Sequence, residues 1–365
     1  MPHFLNNIYT PPSPLLPPEL KHFSFSFSGH TTMVIATNLH HHLLLSQTHN
    51  SKDPKPQGGG EEEEEEEKLI TLITQLYNTI SNLPSLHPSP QVNSLFTSLV
   101  SACIPSYPSL SLSSLSPSTL SMRSHLISLC SSAESFLELH YSSLLLQLSL
   151  TSSSLLPHLP VFPYFSNYLS LSLLESSLLF SHLLHPPPLI AFLGSGPLPL
   201  SSIILASRHF PSSTFHNFDI DPSATSKASA LVANDSSLAS RMEFITADAS
   251  AIGDRLRSYG LVFLAALVGL EKEQKARVVE HLSRHMAPGA MLVVRSAHGA
   301  RMFLYPVMEP ADLKGFEVLS VYHPDDEVIN SVIVARKIGA AVESCKCREG
   351  KKMEEMGLEE LHSEA

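Results

Sequence analysis

The stretch Ile190-Ala191-Phe192-Leu193-Gly194-Ser195-Gly196-Pro197 constrains this chain more than any other. A short apolar run ends in Gly-x-Gly and turns at once into Pro-Leu-Pro-Leu-Ser-Ser-Ile-Ile-Leu, the succession of a buried strand, a tight turn and a helix. Glycine at both places allows a turn that a Cβ would obstruct and lets a ligand approach the backbone. The free N–H groups of the following helix favour negative charge there. The third glycine of the dinucleotide fingerprint is missing. The motif alone therefore fits a plain structural turn as well as a nucleotide-type ligand held by Gly194, Ser195 and Gly196.

The residues that follow weight the second reading. Phe215–Asp221 is a second strand-like run, and its acidic end, Asp219 and Asp221, falls where an acid can take ribose hydroxyls. Lys227–Val232 reads as helix, and Met242–Asp248 as a third strand that also ends in an acid. Leu261–Gly269 is apolar throughout, as a strand covered on both faces should be. Lys272–His285 reads as helix and leads into a fifth strand, Ala290–Arg295. Phe316–His323 and Val328–Arg336 alternate like an antiparallel hairpin around Pro-Asp-Asp-Glu. Five β/α units closed by a hairpin predict an α/β, doubly wound, Rossmann-like domain over 186–337. They match the version that takes S-adenosylmethionine better than the nicotinamide version, which continues with parallel strands.

Composition bounds the rest. The chain has 365 residues and a net charge of -11, with Glu61–Glu67 among its 34 acids. No Lys/Arg patch interleaved with aromatics occurs, which argues against nucleic acid as a partner. The longest apolar region, Leu169–Leu184, is broken by Ser, Glu and His, short of the ~18 uninterrupted residues of a membrane span, so no stable membrane insertion is expected. Cys103, Cys130, Cys345 and Cys347 form neither a disulfide framework nor a paired metal motif, which predicts a reducing compartment, the cytoplasm, and no metal site. His40–His42 reads as a solvated triplet. Residues 1–67, Pro-, Ser- and His-rich and ending in the glutamate run, read as a disordered extension, and 338–365 as a charged, disordered tail. The oligomeric state stays open, a homo-oligomer included.

Between these lies an all-helical region, 68–185, read as a lid on the α/β domain. Helical spacing marks 68–83, 92–100, 120–129, 133–141 and 164–184. Glu134 and Glu138 stand four apart on one helical face, where like charges need solvent or a cation, so two solvated acids are one reading and a functional pair the other. Phe162-Pro163-Tyr164-Phe165-Ser166-Asn167-Tyr168 opens a helix that carries Glu175 on the same side as Tyr168; core packing is the plainer reading of that cluster.

Several segments together resemble the plant nicotianamine synthase family. They are Met122–Cys130, Phe162–Tyr168, Leu193–Leu200, Asp219-Ile220-Asp221-Pro222, Phe263–Gly269, Met286–Ala290, Arg295–Arg301, and His323-Pro324 with Asp326–Ser331, in the family's own order over about 65–337. One departure is Phe165, where plant members carry a second tyrosine after Tyr164.

The resemblance implies an S-adenosylmethionine-dependent aminocarboxypropyltransferase. Such an enzyme condenses three S-adenosylmethionine molecules into nicotianamine, a metal chelator serving iron homeostasis, releases three methylthioadenosines and closes an azetidine ring. No metal is required for the chemistry. It further implies a glutamate and a tyrosine over the reactive site, placed at Glu138, alternatively Glu134, and Tyr164, with Tyr168 beside them. The base is expected on the lid, facing away from the sheet. Because the acids follow strands at the rim where such sheets take ligands, Gly194–Gly196 is expected to meet the methionine part, Asp219 or Asp221 the ribose and Asp248 the adenine, with Ala265 and Ala266 as further candidates. Arg295 and Arg301 are expected either to hold a substrate carboxylate or to brace the Asp326-Glu327 segment.

Overall fold

The computed structural model describes residues 59–105, 107, 110–151 and 154–339; His40–His42, Cys345 and Cys347 lie outside them. Four helices lead the chain: α1 (Gly59–Ser81), α2 (Pro90–Cys103), α3 (Pro117–Ser149) and α4 (Phe165–Phe180). The α/β part follows as β1 (Leu189–Leu193), α5 (Leu200–Ile204), β2 (Thr214–Asp219), α6 (Pro222–Val232), α7 (Ser236–Ala239), β3 (Met242–Thr246), β4 (Leu261–Leu264), α8 (Lys272–His285), β5 (Met291–Ser296), β6 (Phe316–Tyr322) and β7 (Ser331–Lys337).

The seven strands form one sheet in the order β3-β2-β1-β4-β5-β7-β6. Its first five strands are parallel, and β7 inserts antiparallel between β5 and β6. The order reverses between β1 and β4, which opens a crevice at their carboxyl ends, the place where such sheets take ligands. The strands are apolar on both faces because both are covered: Ile190, Phe192, Phe263, Val293 and Val334 pack towards α4, α5 and α6, and Ala191, Leu193, Leu264, Val294 and Ala335 towards α8.

Local chemistry moves several boundaries away from their expected places. The helix expected from 68 begins at Gly59, so Glu61–Glu67 form its first turns, and Glu64 pairs with Lys68 at 2.7 Å. The helices expected over 120–129 and 133–141 are one, α3. The serines between them do not break it, because Ser132 and Ser135 donate back to the carbonyls of Ser128 and Ser131 at 3.0 Å each. The strand expected over Leu261–Gly269 stops at Leu264. The chain there turns away, and the Lys275 ammonium gathers the carbonyls of Ala265, Ala266 and Val268 at 2.8, 2.7 and 3.2 Å. Asp221 starts α6 earlier than expected by accepting from the Ser223 N–H at 2.8 Å, with Pro222 in the first turn.

The helices ahead of the sheet have two allegiances. α3 and α4 share the core of one sheet face through Tyr141, Leu145, Leu171 and Leu178. α1, α2 and the start of α3 enclose a second cluster with Ala300, Met302, Phe303 and Leu304 from the turn after β5. Among the described residues no helix is long and apolar enough to cross a membrane, and no group of three His, Cys, Asp or Glu side chains could hold a metal.

Candidate active site

A cavity of about 770 Å³ occupies the crevice between α3, α4 and the carboxyl ends of the strands. That is within the ~300–1,000 Å³ usual for small-molecule sites. Its lining includes Glu134 and Glu138, Tyr164 and Tyr168, Gly194, Ser195 and Gly196, Asp219, Asp221 and Asp248, Ala265 and Ala266, and Arg295, but not Arg301.

The floor is the turn after β1. Gly194 and Gly196 have φ of 82° and 66°, which side chains rarely adopt. Gly194 and Ser195 donate to the Phe218 carbonyl at 2.8 and 3.1 Å. Gly196 donates to Asp219 Oδ2 at 2.8 Å, while Asp219 Oδ1 accepts from the Asp221 N–H at 3.0 Å. Asp219 thus braces the glycine turn as well as lining the cavity. A Cβ on Gly194 would strike Val268, so protein packing excludes a side chain there before any ligand does. Asp248 is exposed at the rim, and hydrogen bonds from the Ser250 hydroxyl and N–H hold its carboxyl below the usual range.

The roof is the carboxylate pair of α3. Glu138 does not face away from the sheet: a Cβ on Gly196 would collide with its Oε2, so this carboxylate lies directly over the turn. The reason is packing, since α3 lies across the sheet end on Tyr141 and Leu145 and carries its polar stripe into the crevice. Neither acid is a solvated surface group. Glu134 accepts from the Tyr305 hydroxyl at 3.1 Å and from the Tyr168 hydroxyl at 3.5 Å. Burial pushes its carboxyl up, against the pull of Tyr305, Arg295 and Tyr168. Burial, then the negative charges of Glu134 and Asp219, pushes the Glu138 carboxyl well above the usual carboxylate range.

Tyr164 stands at the start of α4 on the cavity wall, and burial pushes its phenol above the usual range. Phe165 packs partly buried against the core. Arg295 holds no open fork: its Nε and Nη2 donate to Glu175 at 2.7 and 3.0 Å, and its Nη1 donates to Ser201 at 2.9 Å. Glu175 is 0% exposed, so the side chain read as core is the buried counter-charge that fixes the arginine. Arg301 braces the segment before β7 by donating to the backbone carbonyls of Pro324 and Asp326, not to a carboxylate.

Sequence reasoning missed Tyr305 and Lys275. Tyr305 sits in an irregular stretch after a single 3-10 turn, where no periodicity singles out a side chain. Lys275 looked like one more polar residue near the start of α8, yet it is fully buried.

With this geometry in view, the comparisons with known proteins are specific. A family model described as nicotianamine synthase protein matches residues 61–342. The chain is 56% identical over 273 residues to nicotianamine synthase 9 of Hordeum vulgare, covering 74% of this chain and 78% of the relative. It is 51% identical over 274 residues to nicotianamine synthase 2 of Arabidopsis thaliana, covering 75% and 85%. Among solved structures, a mutant of MtNAS in complex with S-adenosylmethionine superposes with a TM-score of 0.61 at 19% identity, covering 74% of this chain and 98% of that one, which shows that the fold is shared. A match over most of the length, joined to identities above one half, leaves one assignment: the chain belongs to the nicotianamine synthase family.

Proposed function

We propose that this protein synthesises nicotianamine, transferring 3-amino-3-carboxypropyl groups among three S-adenosylmethionine molecules and releasing three methylthioadenosines. The observation that carries the proposal is the Glu138 carboxylate of α3 seated over the Gly196 turn, with Glu134 lining the same cavity. The acidic lining supports it too: Glu134, Glu138, Asp219, Asp221 and Asp248 suit a substrate that brings a sulfonium and an ammonium.

In each transfer the α-amine of the acceptor attacks the γ-carbon of the donor's aminocarboxypropyl group. The N–C bond forms as the C–S bond breaks, and the electron pair stays on sulfur as a neutral thioether. Holding the γ-carbon in line selects it over the other two carbons on sulfur. The attacking amine, with a reference pKa near ~8, arrives largely protonated and must lose that proton. Glu138, raised towards that range by burial and its neighbours, is the base. Tyr164 and Tyr168 line the path of the amine. Gly194, Ser195 and Gly196 receive the methionine part, Asp219 or Asp221 the ribose and Asp248 the adenine, with Ala265 and Ala266 completing the rim. The last displacement is internal and closes the azetidine ring. We place the protein in the cytoplasm, where the free thiols of Cys103 and Cys130 persist.

Mass analysis of the adenosyl by-product tests the reading. Methylthioadenosine, with nicotianamine as the amine product, is expected. Adenosylhomocysteine would mean methyl transfer and would overturn it.

A further inference from the structure

The two carboxylates of α3 are chemically identical but unequally surrounded. Glu134 receives two phenolic hydroxyls from different elements, Tyr168 of α4 at 3.5 Å and Tyr305 of the segment after β5 at 3.1 Å. Arg295 of β5 adds a positive charge, while Cys130 lies one turn earlier on α3 as a buried, neutral thiol. Around Glu138 the charged neighbours are Glu134 and Asp219 of β2, both negative, and the structure gives its carboxylate no hydrogen-bond donor among the described residues. A buried carboxylate that accepts hydrogen bonds is stabilised as the anion, whereas one facing two anions favours its neutral form. The asymmetry is therefore a division of labour.

We propose that Tyr305 is a positioning residue that, with Tyr168, fixes the negative charge of the pair on Glu134 and leaves the shared proton on Glu138. The role of Glu138 as base, on which this rests, then acquires an order of events. Before substrate enters, Glu138 holds a proton. The sulfonium of a donor seated on the glycine turn beneath it favours release of that proton to water as the donor binds, and the freed carboxylate then takes a proton from the acceptor's ammonium, which leaves a neutral amine to attack. Transfer moves the positive charge from sulfur to the acceptor nitrogen, which becomes a secondary ammonium as the neutral thioether leaves, and Glu138 keeps the proton it took from the acceptor. Glu134 stays ionised throughout and holds the ammonium of the acceptor near the reacting carbon.

The test is an infrared titration of the protonated-carboxyl band in the ligand-free protein, a readout that needs no turnover. The wild-type band is expected to persist to near-neutral pH and to vanish in Glu138→Gln. Tyr305→Phe removes a donor from the Glu134 anion and raises the proton affinity of the pair, so the band midpoint should move up by about one to two pH units, the worth of a hydrogen bond to a charged group. Glu134→Gln removes the charge facing Glu138 and should move the midpoint down, which keeps the proposal testable even where Tyr305→Phe does not fold. Tyr305→Phe in the Glu134→Gln background should then add no shift. A band lost in Glu134→Gln but kept in Glu138→Gln, or a Tyr305→Phe midpoint equal to wild type, would overturn the proposal. Normal turnover by Glu138→Gln would instead refute the base assignment, and the titration would still locate the proton.

Discussion

At the scale of single residues, the proposed chemistry turns on two carboxylates one helical turn apart. Glu138→Gln keeps the shape and polarity of the side chain over the glycine turn but cannot accept a proton. Turnover is expected to fall by roughly 10²–10⁴-fold, with S-adenosylmethionine affinity by calorimetry little changed; loss of binding with intact chemistry would move Glu138 into a purely binding role. Arg295 and Glu175 behave differently. Both ends of that pair are buried and joined by two hydrogen bonds, so Glu175→Gln leaves a guanidinium in the protein interior without its counter-charge. A loss of about 3 kcal/mol in urea unfolding is expected. An unchanged midpoint would mean that substrate or solvent, not Glu175, neutralises Arg295. The sequence revealed the four-residue spacing of Glu134 and Glu138 but not their burial, because spacing fixes which face two residues share and not what covers that face. Glu175 was visible on the side of Tyr168, yet only the folded register of α4 against β5 shows that Arg295 meets it.

Among the elements, the loop between β4 and α8 shows how a single side chain closes the rim of the site. Apolar character alone carried the expected strand through to Gly269. What ends it at Leu264 is a buried ammonium that sequence pattern cannot distinguish from a surface lysine. Burial, and then the charge of Arg295, pull the Lys275 pKa down to about 7. In the unfolded chain it returns to the ordinary value near ~10.4. Between those values the unfolded state binds more protons than the folded one, so this group makes stability rise with pH, by up to about 1.4 kcal/mol per unit. Urea unfolding of the wild type at pH 7 and pH 9 should show that gain, and Lys275→Met should flatten it. Equal slopes in the two proteins would mean that the three carbonyls keep the ammonium charged. Element types and their order were otherwise legible, since β/α alternation and the polar alternation of the hairpin are local signals. Boundaries were less so, as the fusion of two expected helices into α3 illustrates: serine is a frequent helix terminator, but here its hydroxyls fold back on the helix's own carbonyls.

For the whole molecule, the decisive feature is that neither the helical layer nor the sheet contains the site alone. The doubly wound class was readable because the Gly-x-Gly turn and the terminal hairpin are features of one continuous segment. The seating of α3 and α4 on the sheet end was not, because it depends on contacts between residues far apart in the chain, such as Tyr141 and Leu171 with Phe192. A pin reinforces that seating: buried Asp235 accepts from the Ser154 hydroxyl and the Leu155 N–H at 2.9 and 3.1 Å, tying the chain after α3 to the start of α7. A ligand in the cavity should therefore stabilise both layers together. At a hundredfold excess over Kd it would add about 2.7 kcal/mol to the native state. Hydrogen exchange with S-adenosylmethionine present should slow at Glu134–Tyr141 on α3 and at the start of α4 as well as at the turns after β1 and β2. Protection confined to the sheet would mean that the substrate touches only the glycine turn and its acids. In that case Glu138, however close to Gly196 it lies, and Glu134 could not be the groups that handle the proton.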